Sequence, residues 1–162
     1  MALEQAVSSQ IAKAKGIDNT PGQAEKGALA LTAKKVYDPV CQRFGKVYIS
    51  SGYRSPALNV AVGGSKTSAH TRGEALDLDG RGPSGFVNVS NSDLFHYIRE
   101  NLEFDQLISE FNQNGEPAWV HVSFRSNGNR QQVLLAYRDG DETKFVQYTP
   151  KLWNRMYKFK VP

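Results

Sequence analysis

Two histidines and an aspartate carry the strongest chemical signal in this chain. His70 and Asp77 lie in Ser68-Ala-His-Thr-Arg-Gly-Glu-Ala-Leu-Asp77, and His121 lies far downstream in Trp119-Val-His-Val-Ser123. Imidazole nitrogen and carboxylate oxygen are both good zinc ligands, and a catalytic zinc takes three protein ligands and leaves one position to water. Three such residues from separate segments match an open site of that kind, the site of a zinc hydrolase. The spacing is less specific than a pair of histidines one helical turn apart. His70 with Asp77 alone could equally be an aspartate-anchored histidine, and His121 moves the balance toward a metal. His96, on an expected helix with no partner in sight, reads as a surface or hydrogen-bonded residue.

The elements around these residues must hold them in place. Ala75 to Asp79 alternates, with Leu76 and Leu78 on one side and Ala75, Asp77 and Asp79 on the other, as a strand does. Such a strand would anchor its leucines in the core and deliver Asp77 stiffly to the opposite face. Val47 to Ser50 is β-branched and aromatic enough for another strand. Ser55-Pro56 caps a short helix through Ala61, ended by Gly63-Gly64. Arg54, in the loop after the first strand, fits either a salt bridge or a contact to an anion or oxyanion. Tyr53 and Trp119 read first as packing residues.

Phe104–Phe111 and Ala118–Phe124 read as two strands joined by Asn112-Gln-Asn-Gly-Glu-Pro117, a hairpin loop. A loop centred between Asn114 and Gly115 sets Phe111 opposite Ala118, Glu110 opposite Trp119 and Ile108 opposite His121. Glu110 and His121 then share a sheet face as diagonal neighbours, about 7–8 Å apart. A carboxylate there could accept a proton from an attacking water. Glu116 is the rival candidate, and a one-residue slip of register would turn Glu110 away.

The rest of the chain supplies scaffold. Leu3, Val7, Ile11 and Ala14 have helical spacing over residues 2–15, with Gly16 as the stop. Leu29, Ala33, Val36, Val40 and Phe44 form the stripe of a longer helix from Ala24 to Phe44, which Pro39 should kink or break near Asp38. Ser92 reads as the N-cap of a helix burying Leu94, Phe95, Ile98 and Leu102. Gln131–Tyr137 and Thr143–Tyr148 add two strands. The expectation is an α+β fold, with a mainly antiparallel sheet and the N-terminal helices packed on one side, residues 1–162 forming a single domain.

Composition excludes little but is consistent. The chain has 162 residues, 40% apolar and 22% charged, with one cysteine, so neither an internal disulfide nor a cysteine-based zinc site can form. Cys41 reads as a buried structural thiol. A net charge of +4 is spread along the chain without the aromatic interleaving of a nucleic-acid platform. No apolar run reaches the roughly 20 residues of a membrane span, and Met-Ala-Leu-Glu-Gln-Ala-Val lacks the pattern of a signal peptide.

Ser51-Gly-Tyr-Arg-Ser-Pro56, then Ser68-x-His70-x-x-Gly73-x-Ala75-x-Asp77, then Trp119-Val-His-Val-Ser123 resemble the zinc D-Ala-D-Ala carboxypeptidase family. That family includes phage and bacterial peptidoglycan peptidases, and hedgehog signalling domains share its fold. The resemblance spans about residues 16–137. It implies one Zn2+ held by His70, Asp77 and His121, a catalytic carboxylate, and an arginine, here Arg54, that steadies the substrate carbonyl or carboxylate. Many members carry the acid three residues before the last histidine, where this chain has Ala118. The strand Asp105-Gln-Leu-Ile-Ser-Glu110 resembles the variant in which the neighbouring strand supplies it, Glu110 here. The implied substrate is the peptidoglycan stem peptide or a peptide bond next to D-alanine; the expected protein is a monomer with no nucleic-acid partner and no membrane span. Without a visible signal peptide, the expectation is synthesis in the cytoplasm and action on the cell wall after release, as by a phage endolysin, or carriage in a phage particle. A cytosolic dipeptidase, a zinc-stabilised binding or virion module without catalysis, and a basic nucleic-acid binder are the alternatives.

Overall fold

The computed structural model describes residues 3–158, 160 and 161. Six strands form one sheet: β1 (Tyr48–Ser51), β2 (Ala75–Asp79), β3 (Gln106–Gln113), β4 (Glu116–Ser123), β5 (Gln132–Asp139) and β6 (Glu142–Gln147). Their spatial order is β1-β2-β4-β3-β5-β6. Every neighbouring pair is antiparallel except β3 with β5, which is parallel, so the α+β expectation of a mainly antiparallel sheet holds.

Strand alternation divides the sheet into two faces. The back face carries Ile49, Leu76, Leu78, Leu107, Val120 and Val122, all buried. Against them pack Ala6 of α1 (Leu3–Val7), Leu29 of α3 (Gln23–Thr32), Val40 of α4 (Asp38–Phe44), Phe95 and Ile98 of α6 (Asn91–Asn101), and Trp153 of α7 (Pro150–Met156), in one core. Truncating one such leucine to alanine typically costs 2–5 kcal/mol. The helices therefore cover one side, and the front face stays available for a site.

Several local expectations are corrected. The first helix is two: α1 ends at Val7, and Ser9 caps α2 (Gln10–Lys15) by accepting from the Ala12 N–H. Ser8 and Ser9 compete for backbone hydrogen bonds and favour a cap over a continuous helix. The break rotates the apolar pattern, so Ala6 and Ala12 are buried while Ile11 and Ala14 are exposed; the Leu3 side chain lies outside the described part. Gly16 does stop α2, with φ 62. Pro39 does not break the second helix. A π-helical turn over Ala33–Tyr37 joins α3 to α4, and the Asp38 N–H reaches back to the Ala33 carbonyl. Widening the turn accommodates the ring and the missing N–H of Pro39. Cys41, on α4, is half-buried.

The cap of α6 is Ser90, not Ser92. Ser92 is buried in the first turn, where its N–H and hydroxyl both donate to the Glu116 carboxylate, at 3.0 and 2.6 Å. His96 is buried as well, its ring 4.5 Å from that of Trp153, so the surface reading fails. The hairpin is tighter than expected. Strands β3 and β4 continue to Gln113 and from Glu116, joined by Asn114 and Gly115 with φ 59 and 88. Both residues in the left-handed region make this the Asn-Gly turn that matches strand twist.

Candidate active site

Strands β2 and β4 are neighbours, and their register sets Asp77 directly opposite His121 on the front face. Asp77 is held from behind by Leu76 and Leu78, both fully buried. His70 arrives from a 3-10 turn, Ala69–Arg72, which Ser68 caps and Gly73 ends at φ 71. Gly73 is needed for space as well as for φ, because a Cβ there would stand 2.3 Å from the backbone oxygen of Glu25 in α3. The turn is thereby pressed onto the helix, which fixes the height at which His70 enters the site.

His70 Nδ1 lies 2.6 Å from the carbonyl oxygen of Gly52 and donates its proton there. Gly52 can present that carbonyl because its own α-carbon sits against α1, where a side chain would meet the Ala6 oxygen at 2.2 Å. With Nδ1 protonated, a neutral His70 has a bare lone pair at Nε2. Burial, the largest influence, keeps the His70 pKa below its ordinary value and favours that neutral form, although the Asp77 charge acts the other way. Burial pushes the Asp77 carboxyl up, but His70 and His121 beside it outweigh this by charge and hydrogen bonding and hold it well below the usual range.

Three electron-pair donors thus converge in a buried place. His70 Nε2 is 3.1 Å from Asp77 Oδ1, His121 Nδ1 is 2.9 Å from the same oxygen, and the two nitrogens are 3.2 Å apart. Ligands at 2.0–2.1 Å on a tetrahedral zinc stand about 3.3 Å from one another. The donor set and its spacing therefore fit one zinc ion, which would relieve the mutual repulsion of these groups. All three residues of this cluster are buried.

A second layer supports it. In β1 the register shifts between Ile49 and Ser51, so that Ser51 rather than Ser50 pairs with Asp77. This bulge re-aims Ser51. Arg54 Nε donates to Ser51 Oγ at 2.9 Å, and Arg54 Nη2 pairs with Asp77 Oδ2 at 2.6 Å. One of the two readings of Arg54, the ion pair, therefore holds, and its partner is the carboxylate of the cluster. Asn19 ties the loop from both sides, donating to the carbonyls of Val7 and Tyr53 and accepting from the N–H of Ser55, the cap of α5 (Pro56–Ala61). The sequence reading singles out none of Asn19, Ser51 and Gly52 as site residues. Only the Ser-Gly-Tyr-Arg-Ser-Pro string hinted at the last two.

Glu110 pairs with Trp119, and Ile108 with His121, the register expected for the hairpin. Glu110 accordingly faces the cluster from the front. Burial and the nearby Asp77 charge push its carboxyl up to about 7, while His121, Arg54 and Arg138 pull it down. Glu116 is on the back face, bonded to Ser92. The pair Phe111–Ala118 is missing from the ladder, because Phe111 adopts φ 56. A bulky residue in that region is strained, and here the ring stands 5.3 Å from that of Trp119. Tyr53 is buried packing, as expected, but Trp119 and Phe111 line a groove of about 1080 Å³ that also contains His70, Asp77, His121, Arg54 and Glu110.

No helix among the described residues is long and apolar enough to cross a membrane. No curated protein matches the chain. The family model described as Peptidase M15 matches residues 3–123, a segment that begins in α1, takes in every ligand of the cluster and ends with β4. A buried His-Asp-His centre at the floor of an open groove, carried on the segment that matches, has one reading: this chain belongs to the peptidase M15 family and is a zinc-dependent peptidase.

Proposed function

We propose that the enzyme cleaves peptide bonds in the stem peptides of peptidoglycan, with Glu110 as the general base and Arg54 as the residue that steadies the substrate carbonyl. The family assignment supports a peptidoglycan-related substrate. The observation that carries the catalytic reading is the position of Glu110 on the front face, beside Asp77 and His121 and lining the same groove. Bound by His70, Asp77 and His121, zinc would supply Lewis acidity toward a water and the scissile carbonyl.

The protein's own groups then have separable tasks. Glu110 takes the proton of the attacking water and passes it to the leaving amine. A carboxyl near neutrality suits both halves of that exchange, because it can accept and release a proton at the same pH. Arg54 holds Asp77 in place through Oδ2 and offers its remaining donors to oxygen as negative charge develops there. Gly52 fixes the tautomer of His70 and keeps Nε2 free to act as a ligand. Phe111 and Trp119 give the groove an apolar wall beside the centre.

The test is direct. Purified protein is incubated with defined peptidoglycan fragments, with and without a chelator, and the products are identified by mass. Cleavage that the chelator abolishes and added zinc restores is the expected result. A zinc-loaded protein that cleaves no fragment would sink the catalytic reading and leave a zinc-stabilised module.

A further inference from the structure

The groove has two chemically different ends. Toward the hairpin turn it is walled by Phe111, Trp119 and Phe145, and Leu134 stands level with Ile108 and His121; toward the other end of the same strands it meets Arg125 and Arg130. Leu134, Phe145 and both arginines lie beyond the segment that matches the family model. Arg125 and Arg130 share a single carboxylate, that of the buried Asp105. Arg130 grips it with two nitrogens, at 2.8 and 2.7 Å, whereas Arg125 approaches with Nε alone, at 3.3 Å. Two guanidinium groups against one carboxylate leave a net positive charge. Arg72, nearby in the groove, is paired with Glu74 at 2.8 Å and adds none. Among the described residues the terminal nitrogens of Arg125 have no hydrogen-bond partner, and its side chain is 39% exposed.

We propose that Arg125, braced by Asp105 and Arg130, is a specificity subsite that binds a carboxylate of the substrate away from the scissile bond. The proposal rests on the peptidase reading above and deepens it. A guanidinium with free donors in a fixed orientation matches a carboxylate in a two-pronged geometry. A wholly apolar peptide laid along the groove would strip water from this cation and return nothing.

Strand geometry sets the distance. Arg125 follows His121 along the chain leaving β4, and Asp105 precedes Ile108, the partner of His121. At about 3.3 Å per residue the subsite lies roughly 10–13 Å from the metal cluster. An extended substrate advances about 3.3–3.6 Å per residue, and the arginine side chain can reach back. The recognised carboxylate is therefore about two to four residues from the bond that is cut. That arrangement suits an endopeptidase acting on an acidic peptide better than removal of a single terminal residue.

The experiment uses a synthetic stem peptide with its carboxyl groups free and, one at a time, converted to carboxamides. Both kcat/KM and the binding of each form to the zinc-loaded protein are measured for wild type, Arg125→Gln and Arg125→Lys. Asp105 keeps its two-pronged contact with Arg130 in both variants, and thermal melts check that they fold. Amidation of one carboxyl is expected to lower kcat/KM and binding about 10- to 100-fold in wild type. Arg125→Gln should lose that discrimination while handling the amidated form as wild type does, and Arg125→Lys should keep part of it. Equal discrimination by wild type and Arg125→Gln, or an Arg125→Gln variant that loses both forms alike, overturns the proposal. If wild type cleaves neither form yet binds the free acid more tightly through Arg125, the subsite stands and the peptidase reading falls. If it cleaves neither and binds both equally, the subsite falls too.

Discussion

Glu110 and Glu116 sit on the two arms of one hairpin, and the sheet assigns them opposite trades. Glu110 faces the front, without a hydrogen bond among the described residues, and burial with the nearby Asp77 charge pushes its carboxyl up to about 7. Glu116 faces the back, where its carboxylate receives both the N–H and the hydroxyl of Ser92 at the start of α6. Negative charge at a helix N-terminus is stabilising. Each face follows its own rule. The back face buries its apolar groups and pairs the Glu116 carboxylate; the front face gathers donors that repel one another unless a cation joins them.

The largest effect should separate the two carboxylates outright. Glu110→Gln keeps shape and zinc but removes the proton acceptor, and loss of a positioned base costs about 100- to 10,000-fold in rate. Glu116→Gln should leave kcat near wild type. Steady-state rates on a peptidoglycan fragment, with zinc content measured alongside, check both. If Glu116→Gln were the dead variant and Glu110→Gln the active one, the division of labour between the faces would be wrong.

Arg54 sharpens the front-face half of the comparison. Its ion pair orients Asp77, and removing a group that orients a metal ligand typically weakens metal affinity by about 10- to 100-fold. Arg54→Gln should show that loss in a chelator competition, which requires no substrate. An unchanged affinity would mean that β2 alone holds Asp77 and that Arg54 serves only the substrate.

Glu116 gives the corresponding test for the back face, read as stability. Hydrogen bonds to a charged group contribute about 1.5–3 kcal/mol, so Glu116→Ala should lower the unfolding free energy, read from denaturant melts, by an amount in that range. Ser92→Ala should be non-additive with it in a double-mutant cycle, since both changes delete the same pair. Simple additivity would show that the contact contributes nothing measurable.

The contrast between the faces also explains what could be read from the sequence. Leu76-Asp-Leu-Asp79 declares its faces because strand period and burial coincide, and Asn114-Gly115 fixes the register because both residues tolerate φ above zero. The first signal set Asp77 opposite the core-facing leucines and the second set Glu110 and His121 on one face; the pairing of β2 with β4 is what brings the three to one side. Other features depended on contacts between segments distant in sequence. Ser51 reaches Asp77 only through a bulge in β1, and Gly52 matters because Ala6 lies against it. Nothing local to Ser92 reveals that its partner is Glu116 rather than its own helix. Ile11 misled because helical spacing says where a stripe lies, not whether the helix continues past Ser8.

A further effect expected on the back face is an acid-side loss of stability at His96, which lies on the helical side of the sheet. Burial, with the Arg99 charge adding to it, lowers the His96 pKa to about 4. An unfolded chain would bind the proton near the ordinary value of about 6.5. Between those two values the unfolded state holds more protons than the native state, so stability rises with pH and falls as pH drops from about 6.5 to 4. The slope cannot exceed about 1.4 kcal/mol per pH unit for one group. The lowered carboxylates Asp77 and Asp105 lose their contribution only below their ordinary value of 3.8, outside this window. His70 shares the direction of His96, so the measurement has to be a difference. Denaturant unfolding of wild type and His96→Leu at matched pH values should show wild type losing stability relative to the variant as pH falls from 6.5 to 4, because the leucine has no proton to take up. Parallel curves would mean that His96 keeps its ordinary pKa in the folded protein, and that the back face tolerates a charge as readily as the front.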